Sequence, residues 1–262
     1  MQSDNKSNSK FRRVAEKLAR RAGHIIKTKL TLGIKRDWKS DHTPVTAIDT
    51  EVNQLVIETI HAEFPQHSIL AEEGSDLTHS REFVWVCDPI DGTFPFMHGI
   101  PVSTFTLALV HNGQPILGVI YDPFMERMFV AEKGQGATLN GVAVHTGTDP
   151  SMHNKSIGVV FWKDNLDVML PVIDKVSHAG GKILNLCSVA YMDALVAVGE
   201  FAAVIYPGFS AHDSAAAKVI VEEAGGVFTS LTGEVDRYDR SVHGHIAAAN
   251  QAIYDQIQSL LR

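Results

Sequence analysis

A continuous apolar run at residues 83–87, FVWVC, leads directly into the acidic segment DPIDGT at residues 88–93. An uncharged run of this length is typical of a strand that is buried on both faces of its sheet. Because proline has no N–H to give to a central strand ladder, Pro89 predicts that the chain turns there. The sequence therefore predicts a sheet covered by helices, in which one buried strand ends in two carboxylates.

The composition is that of a globular protein. The chain has 262 residues, of which 45% are hydrophobic and 20% charged, and its formal net charge is −7. These values exclude the collagen, coiled-coil and disordered classes. Because the charge is negative and no run of lysine or arginine exceeds a pair, we expect neither a nucleic-acid polymer nor a membrane as a partner.

The cysteines and the N-terminus bear on the compartment. Cys87 and Cys187 lie in apolar stretches far apart in the sequence, which argues against a disulfide. Residues 1–10 are polar, predict a disordered segment and lack the apolar stretch of a signal peptide. No apolar run approaches the ~20 residues that a bilayer-spanning helix requires. We therefore expect a cytoplasmic protein.

Hydrophobic spacing predicts the order of the elements. Apolar residues at helical spacing predict helices over 11–26 and 52–64, and a hairpin signal lies within 104–121. Beyond residue 150 or so, strands and helices alternate. The pattern favours an α/β (α+β) fold in which helices cover sheets. We expect one domain over 11–262, with a soft subdivision near residue 150 between an α+β half and an α/β half.

The acidic segment after the first buried strand is the strongest chemical signal. A turn there aims Asp88, Asp91 and the Ile90 carbonyl into a small space, where a divalent cation would relieve the repulsion between the carboxylates. Oxygen ligands of this kind suit magnesium, calcium or manganese. Gly92 and Thr93 can offer N–H groups and a hydroxyl to a phosphate oxygen. An ordinary solvated turn is the alternative interpretation.

Four further acids lie at the ends of predicted elements. Glu72 and Glu73 follow the apolar residues 69–71, Asp49 precedes a helix, and Asp213 precedes another. Helix capping explains each aspartate taken singly, and a solvated loop explains the glutamates. Their shared position at element ends, where open α/β sheets place their sites, favours a common site.

These motifs resemble a known family. VTAID at 45–49, AEEG at 71–74, DPIDGT at 88–93 and Asp213 ahead of 215–226 occur in the order, and with spacings similar to those, of the inositol monophosphatase family. The resemblance runs from about residue 39 to residue 250. It implies a layered αβαβα fold and a lithium-sensitive, magnesium-dependent hydrolysis of small phosphate monoesters.

The resemblance also implies roles for individual residues. Two or three Mg²⁺ ions, which Mn²⁺ can replace, would be held by Glu72, Asp88, the Ile90 carbonyl, Asp91 and Asp213. Asp49 would lie in the outer shell of a further ion, with Lys39 nearby. The residues implied in catalysis are Asp49, Glu72 and Thr93. The residues implied in substrate binding are Asp91, Gly92, Thr93 and Asp213.

The implied chemistry is hydrolysis by activated water. Ions bound by these acids would lower the pKa of a water and neutralise charge on the leaving alkoxide. The Thr93 hydroxyl, hydrogen-bonded to an acid such as Asp49, would orient that water or accept its proton.

The chain departs from the family pattern where the alcohol part of a substrate would be recognised. The departures are Phe94 and Pro95 after Gly92-Thr93, His212 before Asp213, Ala202, and the lack of the usual Arg and Gly around 186–190. The substrate therefore stays open between an inositol phosphate, histidinol phosphate, fructose bisphosphate and a nucleotide 3′-phosphate. The side chains that could recognise an additional charged group on the substrate are Lys163, Lys182, Asp193, Glu200 and His212.

Other classes of function find less support. A catalytically silent protein that binds a phosphorylated ligand has little reason to keep such an acidic cluster. The glycines at 134–136 and 180–181 do not complete a dinucleotide or phosphate-loop motif, and no pair of histidines has zinc-ligand spacing. Because the segment 104–131 is apolar and the family is often dimeric, we expect a homodimer.

Overall fold

The computed structural model describes residues 2–39, 43–162, 165–240 and 242–261. The helices are α1 (Gln2–Lys29), α2 (Ala47–Glu63), α3 (Thr93–Met97), α4 (Leu166–His178), α5 (Val189–Ala197), α6 (Ala211–Glu223) and α7 (Gln251–Leu261). The strands of the first half are β1 (Arg36–Trp38), β2 (Pro44–Thr46), β3 (His67–Ala71), β4 (Ser80–Asp91), β5 (Thr104–His111), β6 (Gln114–Asp122), β7 (Arg127–Glu132), β8 (Ala137–Leu139) and β9 (Val142–Val144). Those of the second half are β10 (Ser156–Val159), β11 (Lys182–Leu184), β12 (Phe201–Tyr206), β13 (Val227–Ser230) and β14 (His245–Ala248).

The strands form two large sheets and one small hairpin. The seven-stranded sheet has the order β3-β4-β5-β6-β7-β8-β9 and is antiparallel except for the parallel pair β3–β4. The five-stranded sheet has the order β11-β10-β12-β14-β13, and its first three strands are parallel. β1 and β2 pair only with each other. This division matches the sequence pattern of an α+β half followed by an α/β half.

Helices cover both sheets in alternating layers. α1 and α2 pack on one face of the seven-stranded sheet, α5 and α6 lie between the two sheets, and α4 and α7 cover the outer face of the five-stranded sheet. Buried apolar side chains form three clusters: one lies between α1, α2 and the seven-stranded sheet, one surrounds α5 and α6 between the two sheets, and one lies between the five-stranded sheet and α4 and α7. The predicted layered αβαβα fold is confirmed. The site described below lies where β4 reaches α5 and α6.

The turn predicted at Pro89 is wrong, and the difference matters for the site. β4 continues through Pro89 to Asp91, but its register against β5 shifts: Asp88 is opposite Thr106, whereas Asp91 is opposite Thr104. Three steps along β4 therefore match two along β5, which is a β-bulge. In a regular strand, residues three apart point to opposite faces. The extra residue brings Asp88 and Asp91 to the same face, the one that faces α5 and α6.

Two predicted segments differ from the structure at the N-terminus and in the hairpin. α1 begins at Gln2, where the composition of residues 1–10 predicts disorder. Adding residues to an existing helix is much easier than nucleating one, and the amphipathic part from Phe11 onward supplies the nucleus. The turn between β5 and β6 is only Asn112-Gly113, both with positive φ, so Pro115 lies within β6.

The apolar segment 104–131 is used inside the chain. Its strands carry buried side chains that pack against α1 on one face and α6 on the other. The apolar surface on which the prediction of a homodimer rests is therefore covered by helices of the same chain. The homodimer stays a prediction. Among the residues that the structure describes, no helix has both the length and the apolar character needed to cross a membrane.

Candidate active site

Three aspartates from two elements converge at the end of β4. Asp88 and Asp91 are buried at the bulge, and Asp213 comes from the first turn of α6. One carboxylate oxygen from each lies within 4.8 Å of the others. The structure thus brings together residues that are 125 positions apart at the widest pair, Asp88 and Asp213. A cluster of three carboxylates at this spacing fits the ligand geometry of a hard divalent cation.

Asp91 is held in place by donors from two other elements. Its Oδ2 accepts hydrogen bonds from the Ser188 hydroxyl at 2.5 Å and the Thr104 hydroxyl at 3.0 Å, and its Oδ1 accepts one from the Val189 N–H at 2.9 Å. Ser188 precedes α5 directly, so the start of α5 closes over the carboxylate. These donors fix the orientation of Asp91 whether or not a ligand is present.

Burial and like charge disfavour the ionised form of this cluster. Burial raises the pKa of Asp88 well above its ordinary value, and the charges of Glu72 and Asp91 raise it further. Burial also raises the pKa of Asp91 to about 7, despite the hydrogen bonds that favour its carboxylate. A bound cation would remove both penalties, because it supplies the missing positive charge.

Glu72 follows β3 and approaches the same cluster. One of its carboxylate oxygens lies within 4.8 Å of ligand atoms of Asp88 and His212. Lys39 donates to both Glu72 and Glu73, at 2.6 Å each. Burial opposes the charge of Lys39, but the two glutamates outweigh it and raise the pKa of the lysine. Glu72 is therefore shared between a lysine on one side and the aspartates on the other.

Asp49 caps α2 and also contacts Thr93. Its Oδ2 accepts from the backbone N–H and hydroxyl of Thr46, which forms the capping box at the start of α2. Its Oδ1 faces the site and accepts a hydrogen bond of 3.3 Å from the Thr93 hydroxyl, which also lies 3.0 Å from the Ile90 carbonyl oxygen. Burial raises the pKa of Asp49 above its ordinary value. Helix capping and the site are thus compatible explanations of this residue.

Gly92 makes the close packing behind Thr93 possible. Its φ is +90°, and a Cβ there would lie 3.0 Å from the Val102 carbonyl oxygen and from the Ser188 Cβ. Any other residue would therefore be strained in its backbone and would push against the chain that holds Asp91. The sequence predicts a phosphate contact for Gly92 and Thr93; the structure places both of them in the wall of the cavity.

Asp213 is oriented from behind by an aromatic residue. The Tyr206 hydroxyl donates to Asp213 Oδ2 at 2.5 Å, and His212 Nε2 lies 3.9 Å from Asp213 Oδ1. Further inside, His245 and Asp193 form a buried pair at 2.9 Å. Asp193 is one of the candidates for recognising charge on the substrate. In the structure it is buried and paired with His245, and it does not line the cavity. Of the other candidates, His212 lines the cavity. Lys182 and Glu200 are exposed elsewhere, and Lys163 lies outside the described residues.

The acids line the bottom of a cavity of about 310 Å³. We call Asp49, Glu72, Asp88, Asp91 and Asp213 the acidic floor, and all of them except Asp49, which lies behind Thr93, are in the cavity lining. The entrance has a different character. We call the cavity-lining residues Phe94, Val160, Trp162 and Cys187 the rim. Phe94 and Trp162 are half exposed, and their rings meet edge to face at 6.1 Å.

Several side chains that build the floor carried no local sequence signal. Ser188 lies 97 residues from Asp91, whereas Thr104 lies 13 residues from Asp91 and Tyr206 lies 7 residues from Asp213, each on a different element from its aspartate. Nothing in the residues around them distinguishes them from other hydroxyl groups in a globular protein. Only the three-dimensional arrangement identifies them as partners of Asp91 and Asp213.

Comparison with known proteins connects this geometry to one family. A sequence model of the inositol monophosphatase family matches residues 7–262. The fructose-1,6-bisphosphatase/inositol-1-monophosphatase of Thermotoga maritima is 30% identical over 243 residues, which cover 92% of this chain and 91% of that protein. The Nus factor SuhB of Pseudomonas aeruginosa is 28% identical over 261 residues, which cover 95% of this chain and 94% of that protein.

A solved structure agrees over the same length. The inositol monophosphatase from Anabaena superposes on this chain with a TM-score of 0.85 at 28% identity, and the match covers 97% of this chain and 96% of that one. The two proteins therefore share the whole layered fold rather than one half of it.

Proposed function

The chain belongs to the inositol monophosphatase family, and we propose that it hydrolyses a small phosphate monoester with Mg²⁺ held by the acidic floor. The observation that carries the proposal is the convergence of Asp88, Asp91 and Asp213 within 4.8 Å in a buried cluster. Folding such a cluster without a cation costs electrostatic energy that a hydrophobic or hydrogen-bonded site would not require. The Thermotoga maritima relative, 30% identical, is named as a phosphatase of two sugar or polyol phosphates.

The donor set suits magnesium. Glu72, Asp88, Asp91, Asp213 and the Ile90 carbonyl offer oxygen atoms only, which hard cations prefer. Among the described residues that could hold a metal ion there, His212 is the one that offers a ring nitrogen. Mn²⁺ prefers the same oxygen ligands and would serve as a substitute. When bound, Mg²⁺ activates water for attack on phosphorus and neutralises charge on the phosphate and the leaving oxygen.

Thr93 and Asp49 supply the proton pathway in this proposal. The Thr93 hydroxyl lies between Asp49 Oδ1 and the Ile90 carbonyl oxygen, so it can orient a water and pass its proton to the carboxylate. Because burial raises the pKa of Asp49, this carboxylate accepts a proton more readily than an exposed aspartate would. Gly92 and Thr93 would contact the phosphate at the same point.

The alcohol part of the substrate would lie against the rim. Phe94 and Trp162 offer apolar faces, and His212 offers a nitrogen next to Asp213. An aromatic or apolar surface of this kind accepts the ring of a polyol, a histidinol or a nucleoside equally well. Inositol phosphate, histidinol phosphate, fructose bisphosphate and a nucleotide 3′-phosphate thus remain the candidate substrates.

A catalytically silent binding protein is the competing function. Several relatives, among them the Pseudomonas aeruginosa protein at 28% identity, carry the name Nus factor rather than the name of an enzyme. The retained Asp49–Thr93 hydrogen bond favours catalysis, because a protein that only binds a phosphorylated ligand has no need of a proton acceptor next to it. A homodimer in the cytoplasm completes the proposal, and the two unpaired cysteines fit a reducing compartment.

Phosphate release from a panel of monoesters tests the proposal. We expect turnover of at least one ester with Mg²⁺, little turnover after chelation, and inhibition by lithium. The panel should include inositol 1-phosphate, histidinol phosphate, fructose 1,6-bisphosphate and adenosine 3′-phosphate. Background release from every ester, in protein that a calorimetric titration shows to bind Mg²⁺, would favour the silent alternative.

A further inference from the structure

A second group of metal-ligating side chains lies outside the active site. His61 is in the last turn of α2, Asp76 is in the loop between β3 and β4, and His79 directly precedes β4. One ligand atom from each lies within 4.8 Å of the other two. His61 is twelve residues beyond Asp49 on the same helix, which at 1.5 Å per residue is about 18 Å along its axis. The group is therefore separate from the acidic floor.

Asp76 is already oriented as a ligand. Its backbone N–H and carbonyl pair with Ile69 of β3, at 2.9 and 2.7 Å, so its main chain is fixed to the sheet. Its Oδ1 accepts the hydroxyl and N–H of Thr78, and these hydrogen bonds hold the pKa of Asp76 below its ordinary value. Oδ2 is left to face the histidines, 3.2 Å from His61 Nε2 and 3.8 Å from His79 Nε2.

His61 points its nitrogen into this group without completing a hydrogen bond. Its Nε2 is shielded from solvent and, among the residues that the structure describes, has no hydrogen-bond partner of adequate geometry. A shielded imidazole nitrogen without a partner is costly, whereas a metal ion would satisfy it. The rings of His61 and His79 meet edge to face at 5.4 Å, so both nitrogens can approach one point.

We propose that His61, Asp76 and His79 bind a zinc-type transition-metal ion. Two imidazoles and one carboxylate are a donor set that zinc prefers over magnesium, with water in the remaining position. At metal–ligand distances of about 2.0–2.1 Å, tetrahedral ligand atoms lie roughly 3.3 Å apart, close to the 3.2 and 3.8 Å found here. Small side-chain rotations bring the third pair into range.

Such an ion would join α2 to the segment 72–79, which begins with Glu72 of the acidic floor. The described contacts between α2 and this segment include a hydrogen bond of 3.1 Å from the Asn53 side chain to the Gly74 carbonyl oxygen. A metal ion bound by His61 of α2 and by Asp76 and His79 of the segment would restrict the motion of the segment. The site thus has a structural role, and its existence does not depend on whether the acidic floor catalyses hydrolysis.

A zinc titration of the full-length protein tests the inference. With the acidic floor saturated by Mg²⁺, we expect the wild type to bind one Zn²⁺ per chain in a calorimetric titration. His79→Gln removes a ligand from an exposed position and should weaken this binding more than about tenfold. His61→Gln should do the same. His111→Gln is the matched control, because His111 is also half exposed beside a carboxylate, Glu82, but lies outside the group.

Cobalt distinguishes this site from the oxygen-rich floor. Co²⁺ in a four-coordinate site with two imidazoles absorbs more strongly in the visible than Co²⁺ among six oxygens, so the wild type and His111→Gln should show bands that His79→Gln lacks. Hydrogen exchange in segment 72–79 should slow on addition of Zn²⁺ only in the proteins that bind it. Equal Zn²⁺ affinity in the wild type and both histidine variants would overturn the proposal, as would a wild type that binds none.

Discussion

The acidic floor and the rim of the same cavity follow different rules. The floor is assembled from buried and partly buried carboxylates on α2, β4, α6 and the loop after β3, and each one is oriented by hydrogen bonds or by an ion pair. The rim consists of apolar side chains, of which Val160 is buried, whereas Phe94 and Trp162 are half exposed and have their rings in contact. The floor therefore tolerates little change in residue type, whereas the rim can vary at small cost to folding.

The difference teaches where each kind of information resides. A buried carboxylate needs hydrogen-bond or ion-pair partners. Those partners fix its position and its charge, and they constrain the residues around it in the sequence motif. An exposed aromatic ring needs only room, so the same position can hold many residues. In the proposed function, the floor thus specifies the type of reaction and the rim specifies the choice of substrate. The following substitutions test that separation, beginning with the largest effect.

Asp91→Asn should break the floor. The amide keeps the shape but removes a charge and sets an NH₂ group against the Ser188, Thr104 and Val189 donors. We expect phosphate release at saturating Mg²⁺ to fall by about 10³-fold or more. Asp122→Asn is the matched control, since Asp122 is also buried and its Oδ1 accepts two backbone N–H groups away from the cavity. Near-normal turnover in Asp91→Asn would contradict its role.

The charge of the floor should also appear in the stability of the metal-free protein. Because the folded-state pKa of Asp91 is raised to about 7 from an ordinary 3.8, the folded protein binds the proton more tightly than the unfolded chain. This stabilisation is present below pH 3.8 and is lost as the pH rises towards 7. Between pH 3.8 and pH 7, the raised pKa of Asp91 should make the free energy of unfolding fall by on the order of a few kcal/mol.

Urea unfolding in chelator across that pH range measures this loss. The difference between wild type and Asp91→Asn isolates the contribution of the floor from that of other titrating groups. Mg²⁺ should flatten the profile of the wild type, because a bound cation favours the ionised carboxylates. Identical slopes in the two proteins would mean that Asp91 titrates normally.

Thr93→Ala tests the proton pathway while leaving the cation ligands in place. Removing the hydroxyl takes away the link between Asp49 and the Ile90 carbonyl, and we expect kcat to fall about 10²-fold with little change in Mg²⁺ affinity. Thr93→Ser keeps the hydroxyl and should retain most of the activity. If alanine and serine gave the same kcat, the hydroxyl would have no part in the reaction.

Trp162→Ala should change the rim alone and gives the smallest effect. We expect KM for esters of bulky or planar alcohols to rise about fivefold, with kcat and the KM of a small ester such as glycerol 2-phosphate almost unchanged. Met125→Ala removes another exposed apolar side chain, away from the cavity, and should change neither kcat nor KM. A tenfold or greater loss of kcat in Trp162→Ala would show that rim and floor are not separable.

The layered fold and the acids of the floor could be predicted from the sequence because each has a local pattern. The uncharged run at 83–87 indicates a buried strand, and the motifs at 45–49, 71–74 and 88–93 each stand at the end of an element. Since strand ends meet at one edge of a sheet, their proximity followed from the order of the elements. The alternation after residue 150 likewise indicated the second sheet.

What could not be predicted depends on contacts between distant segments. Ser188 and Tyr206 are ordinary in their local sequence and become partners of the floor only through the packing of α5 and β12. His61, Asp76 and His79 lack zinc-ligand spacing, so nothing in the sequence pattern groups them. Asp193 was a candidate for the cavity, but its partner His245 lies 52 residues away and keeps it buried.

The bulge in β4 makes the number of residues as important as their identity. If residues 88–91 paired regularly with β5, without the bulge, both aspartates would still be present. They would then point to opposite sides of the sheet, one of them into the apolar layer beneath α1 and α2. The three-residue spacing of the aspartates therefore works only together with the bulge, and a change that restored regular pairing at this strand end should be more damaging than most single substitutions.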